Sequence, residues 1–186
     1  LFTALMTVQW ISAIPIIESY SDLSPDRIVL FNRIEQLVSP LTLITQLTLT
    51  YLVISYLGTS MILIVYGLLF IVVFLLYGLM PSVGVVVFSQ ALLRVFEYGF
   101  NKPSREIIYS QLKKKDRYKS TVFIDTFVTR FGDLTGSLFV GLGKVAAISI
   151  TVVPLLAIPF AGIFSLTGYK ISKIFKENSK NPEIPQ

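Results

Sequence analysis

Apolar residues run through this chain in long blocks and do not alternate with polar ones. The first block, residues 1–17, carries no charge. A polar stretch from Glu18 to Arg33 follows, and further apolar blocks occupy residues 34–57, 61–80, 83–100, 120–142 and 145–169. Each is near the roughly 20 residues a helix needs to cross the hydrocarbon core. The pattern predicts an all-α membrane protein of six transmembrane helices. The breaks between blocks are short: Gly58-Thr59-Ser60, the proline stop at Pro81-Ser82, and Gly143-Lys144. Pro154 and Pro159 fall inside the sixth block, where proline is expected to kink a spanning helix.

Composition strengthens this reading. Of 186 residues, 53% are hydrophobic and 15% charged, and the mean hydropathy is +0.71. Soluble domains carry about a quarter charged residues, so disorder is excluded and a soluble globule disfavoured. The chain has no cysteine and no histidine. Disulfides, thiol nucleophiles, histidine-based triads and Cys/His metal sites are therefore excluded, and neither metal nor cofactor is expected. The chain opens on Leu1-Phe2-Thr3 inside an apolar run, without the basic flank or small-residue cleavage pattern of a signal peptide. The start reads as a cut within a helix, and residues 173–186 read as a polar tail. A bundle over 1–172 would then be the C-terminal part of something longer.

Charge sets the expected orientation. Short turns make consecutive helices antiparallel, so the loops alternate sides. A basic loop over 101–119 holds Lys102, Arg105, Lys113, Lys114, Lys115, Arg117 and Lys119, and the tail adds Lys170, Lys173, Lys176 and Lys180. The opposite side has Arg27, Arg33 and Lys144. The positive-inside rule places the basic loop and the C-terminus in the cytoplasm. A bacterial inner membrane is the expected location. Pro103-Ser104-Arg105-Glu106 reads as the start of a helix in that loop. The loop is expected to lie against anionic membrane lipids or to draw a polyanion to the cytoplasmic mouth. It has no surrounding fold that would suit it to nucleic acid.

Six ionisable residues fall within or at the edges of the apolar blocks: Glu35, Arg94, Glu97, Asp125, Arg130 and Asp133. A charge near the bilayer centre costs roughly 2.5–3.5 kcal/mol on the permissive insertion scale, so each needs a partner or water. At about 1.5 Å per residue, Arg94 and Asp125 both lie roughly 10 Å from the cytoplasmic edge. That match predicts an interhelical ion pair between them. Arg130 and Asp133 are spaced i, i+3 and share a helix face near mid-membrane. Glu35 reads as interfacial. Gln46 on the second helix needs a partner at its depth, and a helix–helix hydrogen bond is the favoured one. Gly132 and Gly136 form a small-xxx-small pair that lets helices approach.

The stretch from Arg94 to Gly136 resembles the nucleotide-exchange (ATP/ADP carrier) branch of the major facilitator superfamily. Arg94, Tyr98, Pro103, Arg105, Glu106, Lys119, Asp125, Arg130, Gly132 and Asp133 carry the likeness, with Asn32, Leu41-Thr42-Leu43 and Gln46-Leu47. The turn Gly58-Thr59-Ser60 lacks the charged residues many facilitators carry there. The resemblance implies the C-terminal half of a twelve-helix transporter, with a missing six-helix N-terminal half as partner. The solute would be small and anionic, a nucleotide by analogy, and bound or gated by Arg94, Asp125, Arg130, Asp133 and Gln46. Arg105, Glu106 and Lys119 would serve the cytoplasmic loop. The alternative is a non-transporting multi-pass sensor or assembly subunit. An intramembrane aspartyl protease, suggested by Gly132-Asp133, is disfavoured because its Gly-x-Gly-Asp motif meets Arg at position 130. The chain is not expected to be an enzyme.

Overall fold

A computed structural model describes residues 1–19, 23–110, 114–149 and 151–180. Among these residues every regular element is helical, and six continuous helices result. We number them α1 (Phe2–Glu18), α2 (24–57), α3 (59–79), α4 (83–110), α5 (114–145) and α6 (Val152–Lys180). Four stretches are long and apolar enough to cross a membrane: Pro25–Tyr56, Met61–Leu79, Val83–Ser110 and Val152–Ile171. The apolar α1 is shorter, and in α5 the apolar run is diluted by Asp125, Arg130 and Asp133.

Several expected boundaries move, each for a local reason. Helix α2 begins at Ser24, ten residues before the apolar block, because Pro25 takes an early helical position and Asp26 lies in the first turn. The break between α2 and α3 falls at Gly58, whose φ of 74° is open to glycine and strained for other residues. The expected basic loop at 101–119 is helical at 101–110 and again from Lys114, as extensions of α4 and α5; residues 111–113 lie outside the described residues. Pro103 is, as expected, the second residue of an α-helical segment, Lys102–Ser110, which continues α4. Gly143-Lys144 is not a turn: α5 runs to Val145, and the turn falls at residues 146–147. There the Ile148 amide donates to the Gly143 carbonyl at 2.9 Å. Pro154 consequently sits in the first turn of α6, where its missing N–H costs nothing, and only Pro159 lies in that helix's interior. The tail expected over 173–186 is helical to Lys180, and 181–186 lie outside the described residues.

The helices associate in three principal pairs: α3 with α6, α1 with α5, and α2 with α4. Helix α3 is the hub. Tyr66, Phe70, Val73, Phe74 and Tyr77 are all buried, against Leu5 and Val8 of α1, Leu93 of α4 and Ala157 and Ala161 of α6. The Tyr66 ring stacks on Phe96 with centroids 5.0 Å apart. Lipid tails are as apolar as leucine, so such contacts hold a membrane bundle by close packing more than by water exclusion. The α1–α5 contact shows this directly. Gly132 lies against Thr3 and Gly136 against Ala4, and a Cβ at position 136 would stand 2.6 Å from the Ala4 carbonyl oxygen. The expected small-xxx-small pair is thus a true close approach.

Candidate functional site

The inner face of α4 concentrates the polar residues. Gln90, Arg94, Glu97 and Asn101 recur every three or four positions and so share one face of the helix. Gln90, Arg94 and Glu97, with Thr7, Gln9 and Trp10 of α1 and Asp133 of α5, line a cavity of about 460 Å³. Gln90 is 3% exposed, and its side-chain Nε2 has no hydrogen-bond partner among the described residues. Gln9, equally buried, donates to the Tyr77 hydroxyl at 2.7 Å. A hollow with an unpaired amide and several charges is chemically suited to a polar ligand.

Arg94 is the best-positioned cation. It forms an ion pair with Glu35 of α2, and its guanidinium lies 6.0 Å from the centre of the Trp10 ring. Trp10 in turn packs on Phe31, with ring centroids 5.7 Å apart. The expected Arg94–Asp125 pair is therefore wrong. Partner choice follows helix packing: α4 lies beside α2, whereas α5 lies beside α1. The Glu35 side chain is half-exposed.

Arg130 and Asp133 do approach each other on α5, at 3.8 Å, and the Thr7 hydroxyl donates to Asp133 at 3.2 Å. Their settings differ, however. Asp133 faces the cavity, while the Arg130 side chain is 83% exposed on the uncovered face of α5. Asp125 is exposed on α5, where Phe123, Phe127 and Phe131 form a ladder of stacked, uncovered rings. The sequence thus placed five residues in one site, and the structure brings Arg94 and Asp133 to the cavity while Asp125 and Arg130 lie outside it.

Gln46 does make the favoured helix–helix bond, donating to the Tyr98 carbonyl at 3.0 Å. The reason lies in α4. Residues Glu97–Asn101 form a π-helical turn, and Pro103 has no N–H to offer the carbonyl of Gly99, four residues earlier. The Thr50 hydroxyl of α2 fills that vacancy at 2.6 Å. Freed carbonyls of a broken spanning helix are commonly met by neighbouring Thr and amide side chains. Further π-helical turns occur at Thr45–Leu49 and Ile124–Val128, the first packed directly on the α4 turn.

At the basic end, Arg105 lies over the Phe2 ring at 5.9 Å, Glu106 meets Arg117 at 4.0 Å, and Lys119 is exposed. No group of three acidic residues among the described residues could hold a metal ion. Residue patterns missed Gln9, Trp10 and Gln90, and gave Glu97 no role. The visible signal was the 90-94-97-101 spacing inside an apolar helix. No family model, characterised protein or solved structure matches the chain.

Proposed function

We propose that this bundle is the substrate-bearing unit of a secondary transporter for a small anionic solute, working by alternating access. The observation that carries the reading is the cavity itself: Arg94, held between Glu35 and Trp10, opens onto a polar hollow inside otherwise apolar helices. A guanidinium in that position binds carboxylate or phosphate bidentately, and a displaced Glu35 would hold its place when the site is empty.

Two features of the bundle support the reading. Exchanging helices 1–3 with 4–6 turns the α1–α5 pair into α4–α2 and leaves α3–α6 unchanged. Since α1 and α4 run antiparallel, with Phe2 beside Arg105 and Trp10 beside Arg94, the two triplets have opposed directions. Inverted triplets with a site at their junction are the architecture of many secondary transporters. Secondly, Arg130 and Asp125 cannot face lipid cheaply, so their side of α5 is suited to a second six-helix bundle across a water-filled cleft. The major-facilitator resemblance of residues 94–136 points the same way and makes a nucleotide the first solute to try. Charge bias would put the basic helix ends in the cytoplasm of a bacterial inner membrane.

The test is entry of labelled ATP into liposomes that contain the protein and internal ADP. Exchange that is lost in Arg94→Gln and Arg130→Gln, with expression and folding intact, supports the reading. Normal exchange in Arg94→Gln removes that residue from the site, and absence of exchange by folded wild type removes the nucleotide.

A further inference from the structure

Glu97 has a setting unlike that of the other acids in the bundle. It lies within the Val83–Ser110 span and lines the cavity. Glu35 has Arg94, and Asp133 has Arg130 and Thr7. Glu97 accepts a 2.6 Å hydrogen bond from Asn101 Nδ2, and among the described residues no cation comes within ion-pair distance. The groups facing it are few. Helix α3 contributes the buried Tyr66, and α2 contributes Glu35, already taken by Arg94; its turn Thr45–Leu49 holds no titratable residue. On α4 itself stand Arg94, Tyr98, Lys102 and Arg105, with Lys102 turned over the Tyr98 ring and Arg105 over Phe2. Asp133 of α5 lies across the cavity.

From Glu97 toward the basic end the same helix face continues as Asn101, Ser104 and Arg105. Asn101 is 1% exposed and Ser104 fully buried; Asn101 Oδ1, Ser104 Oγ and Arg105 Nε are all buried without a hydrogen-bond partner. Three orphan polar atoms within five residues of an apolar span are suited to a short file of water. From Gln90 to Arg105 the polar face extends roughly 22 Å along the helix.

We propose that Glu97 is a proton-binding site, loaded along the Asn101–Ser104–Arg105 face and emptied through the cavity, and that it couples solute movement to the proton gradient. A hydronium ion at the basic end gives its proton to the Glu97 carboxylate: its O–H bond breaks, the carboxyl O–H bond forms, and water is left. When the cavity opens to the opposite side the carboxyl O–H bond breaks and a water there takes the proton as hydronium, restoring the carboxylate. Carboxyl chains of this kind are how membrane transporters relay protons. The coupling half of the proposal rests on the transporter reading, whereas the proton site does not.

The two halves have separate tests. Infrared difference spectra of the purified protein, titrated with acid, should contain a protonated-carboxyl C=O band that shifts in D₂O. It should vanish in Glu97→Gln, persist in Asp133→Asn and return displaced in Glu97→Asp. An unchanged band in a folded Glu97→Gln variant overturns the site. In proteoliposomes, a gradient of about one pH unit should drive about tenfold ATP accumulation through one coupled proton, since one unit equals a factor of ten. The ratio of uptake with the gradient to uptake without it should fall to about one in Glu97→Gln and recover in Glu97→Asp. An unaltered ratio in Glu97→Gln overturns coupling through this residue. A Glu97-dependent band without ATP movement by any form supports the proton site and refutes the nucleotide reading alone.

Discussion

The inner face of α4 and the uncovered face of α5 both carry ionisable side chains inside a membrane bundle, and they treat them in opposite ways. On α4, three polar groups are met by a neighbouring helix: Arg94 by Glu35 and Trp10, the Gly99 carbonyl by Thr50, the Tyr98 carbonyl by Gln46. On α5, Asp125 and Arg130 are left open, beside a ladder of unburied phenylalanines. Insertion energetics allow either solution only if the charge meets a partner or water. The difference teaches that charges on α4 find protein partners within the bundle, whereas Asp125 and Arg130 of α5 face away from it.

Several substitutions would break or sharpen this contrast. The largest effect is expected from Arg94→Gln, which removes a charge-assisted contact worth about 1.5–3 kcal/mol and should lower exchange roughly 10- to 100-fold. An equal loss of thermal stability in detergent would instead make the residue structural. Next comes Gly136→Leu, which drives a side chain into the Ala4 backbone. Overpacking of this kind costs about 1–3 kcal/mol and should lower the unfolding midpoint. On the same helix, Leu138→Ala on the uncovered face should change the stability of the 186-residue bundle by less than about 0.5 kcal/mol. A larger drop would mean that this face is already packed. Thr50→Val falls between these last two: losing its bond to the Gly99 carbonyl should cost about 0.6 kcal/mol and at most about 1.7.

Much of the fold could be read from apolar blocks alone, because an uncharged run of 20 residues in a chain without cysteine or histidine has few alternatives. Boundaries failed where helix signals extended into polar sequence, as at Ser24-Pro25-Asp26, or where proline sat in a first turn, as at Pro154. The site was harder. Ion-pair partners depend on which helices touch, and nothing local distinguishes Glu35 from Asp125 as the mate of Arg94. The Gly132/Gly136 approach was legible because small residues four apart leave a groove on one helix face. The spacing of Gln90, Arg94, Glu97 and Asn101 was equally plain in the chain, but its meaning came only with the cavity that the first three line.

The central claim is that these polar faces border water and not lipid. The 186 residues contain no cysteine, so single substitutions are unique targets for a thiol reagent. Thr7→Cys in the cavity, Arg130→Cys on the open face of α5 and Val72→Cys on the apolar outside of α3 should be compared in proteoliposomes with a membrane-impermeant maleimide. Labelling of positions 7 and 130, slowed by ATP, with position 72 inert is the expected result. Positions 7 and 130 as inert as position 72 would contradict it.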